Sequence, residues 1–144
     1  MLSCYDIAQY FLAKADEDAG DLMSNLKLQK LVYYAQGFAL VLLDKPLFPQ
    51  CIEAWIHGPV VPALYHECKS YGTDAIPSPR ELDLSKYDQE TRDLLDEVYA
   101  VYGQFAAWKL RNMTHQEAPW CMTPAGQEIT RDALRAYFKT QVDV

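Results

Sequence analysis

The residues of this chain best suited to nucleophilic, acid–base or metal chemistry are His57, His66 and His115 with Cys4, Cys51, Cys68 and Cys121. A thiol paired with an imidazole becomes a nucleophile because the pairing lowers its pKa. Cys51 or Cys121 with His57 or His115 supplies those types, but nothing in their order resembles a strained turn that presents a nucleophile. His57, His66, Cys68 and His115 are also ligand types for zinc. His66-x-Cys68 is not a knuckle spacing, however, and no H-E-x-x-H pattern occurs. Neither G-x-G-x-x-G nor G-x-x-x-x-G-K-[ST], the glycine patterns that cradle phosphates, is present. The chain is therefore expected to be no enzyme and to carry neither cofactor nor metal.

Two segments concentrate the remaining unusual chemistry. "EAWIHGPVVPALY" (Glu53 to Tyr65) crowds a tryptophan, a histidine and two prolines around a Gly-Pro turn, and "THQEAPW" (Thr114 to Trp120) repeats the histidine, proline and tryptophan. Proline removes a backbone donor and fixes the chain direction, while glycine admits backbone conformations that larger residues resist. His57, Gly58, Pro59, Pro62, His115, Pro119 and Trp120 are accordingly expected to form a structural motif. In it the imidazoles would bond to backbone carbonyls or to a carboxylate such as Glu53 or Glu117. Trp55, Trp108 and Trp120 are expected in the core or at its margin, with their indole N–H groups satisfied locally.

The whole composition bounds what these segments can serve. At 144 residues, half of them hydrophobic and 23% charged, the chain is expected to be one domain over 1–144 with a sizeable core. Twenty acids against 13 bases give a formal charge of −7. That balance lacks the clustered base of a broad nucleic-acid footprint, so autonomous nucleic-acid binding is not expected. It suits solubility or a basic protein partner. The four scattered cysteines, without a CxxC pair, are expected to be reduced and mostly buried. "GFALVLL" (Gly37 to Leu43) is too short for a membrane span and no leader pattern opens the chain, so a cytoplasmic protein with no membrane partner is expected.

Helical patterning supplies the elements that must hold the two segments. Ser3 and Asp6 form a capping box for a first helix carrying Ile7, Tyr10 and Phe11, ended by the acidic loop Asp16 to Asp21. A second helix from about Asn25 to Leu43, capped by Ser24, has an apolar stripe of Leu28, Leu31, Val32, Ala35, Phe38, Ala39 and Leu42. Gly37 within that stripe suggests a close helix crossing. Lys27, Lys30 and Tyr34 fall largely outside it and are expected to face solvent. After Asp44-Lys45-Pro46, the alternation through Cys51 to Ile56 predicts a short hairpin or extended element. Pro62 should open a helix with Leu64, Tyr65 and Cys68 that ends near Gly72. Asp88 should cap a helix to about Tyr102, and another after Gly103 should carry Phe105, Ala106, Trp108, Leu110 and Met113. "THQEAPWCMTPAG" reads as irregular, and Thr130 as the cap of a closing helix with Leu134, Tyr137 and Phe138. The fold class is mainly α (α+β), a compact helical domain with one short β element.

The ordered set of motifs resembles the SocA/GepA-like family, the Panacea antitoxin domain. "NLKLQKLVYYAQGFAL" (Asn25 to Leu40) is similar to its K-L-Q-K-L-x-Y-Y-A-Q helix. Glu53-Ala54-Trp55 with Gly58-Pro59-Val60-Val61-Pro62 resembles its most recognisable segment. Trp108-Lys109-Leu110, Thr114-His115, Glu117, Pro119-Trp120, Ile129 and Tyr137-Phe138 continue the match. The resemblance implies a small helical fold with a short β element. It also implies an antitoxin of a bacterium, phage or mobile element, paired with a toxin of unrelated fold, and it supplies no catalytic residues. Some members are adaptors that present the toxin to a protease, so a regulator or adaptor acting on another host protein is the alternative. The expected protein-binding residues are Lys27, Lys30, Tyr34, Glu53, Trp55 and Tyr65, facing a toxin encoded by an adjacent gene.

Overall fold

The protein is described by a computed structural model over residues 1–17 and 23–142. The elements follow in the order α1 (Cys4–Glu17), α2 (Asn25–Leu42), β1 (Ile52–Trp55), β2 (Gly58–Val60) and α3 (Pro62–Cys68), then α4 (Gln89–Tyr102), α5 (Ala107–Thr114), α6 (Ala118–Cys121), β3 (Glu128–Ile129) and α7 (Arg131–Lys139). It is thus mainly α with a small antiparallel sheet of order β2-β1-β3. Among the described residues no helix is long and apolar enough to cross a membrane.

Local chemistry sets most boundaries. Ser3 and Asp6 bond reciprocally, with Ser3 N–H donating to Asp6 Oδ2 at 2.9 Å and Asp6 N–H to Ser3 Oγ at 3.2 Å, and α1 follows. Its helix runs through Glu17, and most of the acidic loop expected after it lies outside the described residues. The side chains of Ser24, Asp88 and Thr130 accept from the N–H groups of Lys27, Thr91 and Ala133, which caps α2, α4 and α7. Asp44 takes the left-handed conformation (φ 55°) just past α2, a region an aspartate tolerates better than most side chains. Pro62 sits in the first turn of α3, where its missing N–H would have had no helical partner.

The second helix is not the amphipathic surface helix that its stripe suggests. It is the axis of the molecule, packed by α1, α3, α4, α5, α7 and β2. Leu28, Leu31, Val32, Ala35 and Ala39 are fully buried, as their periodicity requires, and Phe38 is half-buried. Leu42 departs from the stripe at 56% exposure, because the last turn of α2 reaches the surface. There Arg135 donates to the Leu40 carbonyl and to Asp44 Oδ1. The opposite faces are buried as well, Tyr33, Tyr34, Gln29, Gln36, Lys27 and Lys30 included.

Three further expectations change. Helix α5 starts at Ala107, so Phe105 and Ala106 precede it. The stretch after Thr114 contains the one-turn helix α6, with Pro119 in its first turn, rather than irregular chain throughout. Strand β3 completes the sheet by pairing Ile52 with Ile129 and Glu53 with Glu128, and a two-residue strand is too short to show alternation. Of the four cysteines, all free, Cys4 and Cys68 are buried and Cys51 and Cys121 are exposed.

Candidate functional site

The two unusual segments of the sequence meet in space. In the first, β1 and β2 pair Glu53 with Val60, Ala54 with Pro59 and Trp55 with Gly58, leaving Ile56 and His57 as the turn. Ile52 and Ala54 point into the core, while Glu53 and Trp55 are half-buried on the other face. Glycine is required at position 58 for two reasons. Its φ is +107°, and a Cβ there would lie 2.8 Å from Lys30 Cε and 2.7 Å from Thr114 Oγ1.

Side chains of α2 hold the hairpin from beneath. Lys30 Nζ donates to the Pro59 carbonyl at 3.0 Å, and the Val61 N–H donates to Gln29 Oε1 at 2.8 Å. Gln29 is itself oriented by donating to Asn25 Oδ1 at 3.1 Å. Desolvation, followed by the nearby Arg111 cation, lowers the Lys30 pKa to about 7.

The second segment closes over the first. His115 ends α5 and stacks on Trp120 with ring centroids 4.0 Å apart and planes 10° from parallel. The Trp120 Nε1 donates to the Trp55 carbonyl at 2.7 Å, and Cys121 Sγ to the His115 carbonyl at 3.0 Å. Burial, then Arg111, lowers the His115 pKa. Pro119 is buried in the first turn of α6. Glu117 turns inward, where Tyr34 donates to Oε2 at 2.6 Å and Tyr33 to Oε1 at 2.8 Å. Desolvation still raises the Glu117 pKa despite these two donors.

His115 bonds to the Ile56 backbone, as expected, but neither imidazole takes a carboxylate. Glu53 accepts from the Trp55 indole at 2.9 Å and Glu117 is taken by the two phenols, while His57 Nδ1 accepts from Arg111 Nε at 3.0 Å. Trp55 and Trp120 sit half-buried as expected of core-margin residues, whereas Trp108 is 56% exposed. Trp55 also meets Tyr65 edge to face at 5.0 Å, so Glu53, Trp55 and Tyr65 form one contiguous surface group.

Lys27, Lys30 and Tyr34 do not join that group, and the expectation that they face solvent is overturned. All three are at most 5% exposed, because α2 is surrounded rather than one-sided. Lys27 Nζ donates to the Gly103 carbonyl at 2.7 Å, and Lys30 and Tyr34 make the bonds given above. Sequence reasoning also passed over Gln29 and Gln36. Gln36 Nε2 donates to the Phe48 carbonyl at 3.0 Å, and its Oε1 accepts from the Leu47 N–H at 2.8 Å. Two amides seven positions apart on one helix face were the available signal. Arg111, which ties the hairpin turn to α5, carried no signal at all. Among the described residues no group of three or more His, Cys, Asp or Glu side chains is arranged to hold a metal ion.

The site thus combines a buried central helix, a short hairpin clamped by it and an outward aromatic pair. The family model described as "Antitoxin SocA-like, Panacea domain" matches residues 28–121, from the first turns of α2 to the end of α6 and across both site segments. The chain belongs to that family. It is similar to "Antitoxin SocA" of Caulobacter vibrioides (strain NA1000 / CB15N), 30% identical over 109 residues that cover 68% of this chain and 58% of that protein. No solved structure matches the chain.

Proposed function

We propose that this protein is an antitoxin that neutralises a cognate toxin by binding it directly in the cytoplasm, without turnover of its own. Membership of the SocA-like family carries the reading, since the matched stretch contains both the hairpin and the segment that closes over it. The surface around Trp55 supports it physically. Trp55 and Tyr65 are partly exposed aromatics in mutual contact, and such rings serve as anchors at interfaces. Glu53 fixes the Trp55 indole and offers a carboxylate to basic groups, while the net charge of −7 steers a basic partner toward the molecule. Lys30 holds this surface from inside through the Pro59 carbonyl, whereas Lys27 and Tyr34 tie α2 to Gly103 and Glu117.

The test is co-expression with the product of the adjacent gene. Wild-type protein should relieve that product's toxicity and co-purify with it, and Tyr65→Ala should remain folded while weakening binding by about 1–3 kcal/mol. Rescue that persists in a host lacking its major cytoplasmic proteases supports occlusion, and rescue lost there points to an adaptor that delivers the toxin for degradation. Neither rescue nor a complex from the wild-type protein rejects the antitoxin reading.

A further inference from the structure

Arg111 stands at a place where this acidic chain is locally cationic. Its Nε donates to His57 Nδ1 at 3.0 Å, its guanidinium carbon lies 4.4 Å from the Trp108 ring centroid, and its Nη1 donates to Asn112 Oδ1 at 3.1 Å. The His57 and Trp108 rings are 5.8 Å apart, so the hairpin turn and α5 build one continuous step. The step is outward: Trp108 is 56% exposed and Ile56, beside His57, is 77% exposed. An apolar surface of this kind flanking a stacked guanidinium is an arrangement that favours Arg at interfaces.

The guanidinium is the charge that the neighbouring groups feel. Arg111 acts on both the buried Lys30 and His115. Among the described residues the ion pairs are made elsewhere, by Lys14 with Asp96, Lys86 with Asp6 and Arg135 with Asp44. Of the carboxylates in the two site segments, Glu53 turns one oxygen to the Trp55 indole and Glu117 both of its own to two buried phenols, and neither forms an ion pair with Arg111. Stacking fixes the guanidinium plane without neutralising it, and a carboxylate is the planar anion that matches its fork. A nucleic acid would need a longer basic track than this one guanidinium offers.

We propose that Ile56 and His57 of the hairpin turn, with Trp108 and Arg111 of α5, dock an acidic segment of a protein partner whose carboxylate meets Arg111 while an adjacent apolar side chain covers Trp108 and Ile56. The proposal deepens the antitoxin reading, in which that partner is the toxin, but its test does not depend on a toxin. The full chain, labelled with nitrogen-15, is titrated with the end-blocked peptide Asp-Leu-Glu-Phe-Asp, with its Asn/Gln counterpart, and with a short oligodeoxythymidylate. The acidic peptide should shift the Trp108 indole and Arg111 Nε signals, and the amide peptide should bind at least about tenfold more weakly. Trp108→Ala and Arg111→Gln should each weaken the acidic peptide by about tenfold with unfolding midpoints near wild type. Arg111→Lys, which keeps the charge and loses the fork, should fall between, and this variant decides the matter if Arg111→Gln unfolds. Absence of binding, equal affinity for the acidic and amide peptides, shifts confined to another surface, or preference for the oligonucleotide would each overturn the proposal. A toxin that binds wild type and Arg111→Glu alike would overturn it while leaving the antitoxin reading intact.

Discussion

The Nζ of Lys30, buried in the middle of α2, donates to the Pro59 carbonyl at 3.0 Å and so ties the central helix to the edge strand of the sheet. Burial lowers this lysine from 10.5 to about 7, with Arg111 adding to the effect. The unfolded chain therefore binds more protons than the folded one between those values. Stability rises with pH through that window, and the penalty is complete below it. From pH 7 to 9.5 this group should add on the order of 3 kcal/mol. Unfolding curves of wild type and Lys30→Met across that range should diverge in slope by this amount, and parallel curves would remove Lys30 as the source.

Tyr34 should prove structural. Its phenol donates to Glu117 Oε2 at 2.6 Å, and its ring stacks on Tyr102 at 3.9 Å. Tyr34→Phe keeps the stack and deletes a hydrogen bond to a buried carboxylate, which should cost about 1.5–3 kcal/mol in urea unfolding. Partner affinity of the folded fraction should stay unchanged. A stable variant with weakened binding would instead return Tyr34 to the interface.

Leu31 is fully buried in the principal core beside Leu28 and Val32. Leu31→Ala removes its methyl groups and leaves a cavity that the surrounding helices fill only partly. A loss of about 2–5 kcal/mol is expected from chemical denaturation. An unchanged free energy would exclude Leu31 from the core.

Gly37 makes room for a ring. A Cβ at this position would overlap Phe138 of α7. That ring is hemmed by Tyr33 at 5.5 Å and Phe38 at 4.8 Å, so it has little freedom to swing away. Alanine would gain about 1 kcal/mol of helix propensity, but overpacking of about 1–3 kcal/mol should outweigh it. Gly37→Ala should therefore lower the melting midpoint, and adding Phe138→Leu should restore part of the loss. A Gly37→Ala variant more stable than wild type would show that the ring yields.

What the sequence by itself determined was local. Ser3 with Asp6, Ser24, Asp88 and Thr130 each mark a helix start, because the side chain that caps a helix sits within three residues of the N–H group it satisfies. Pro62 and the glycine at 58 likewise act through their own backbone. The apolar residues of α2 were legible from their period, and so was the close approach at Gly37, since a bare glycine within a core stripe points to a neighbour that needs the space. The tertiary structure alone decided which faces of α2 meet water. A period identifies one buried face but not whether other elements cover the remaining ones. Lys27, Lys30 and Tyr34 therefore looked outward until the Gly103 turn, the sheet and Glu117 at the start of α6 supplied their acceptors. The same holds for β3, whose two residues form a strand only because Ile52 and Glu53 lie opposite them. It holds most of all for the surface step of His57, Trp108 and Arg111. Its members are separated by up to 54 positions in the chain, and only the packing of α5 against the hairpin makes them neighbours.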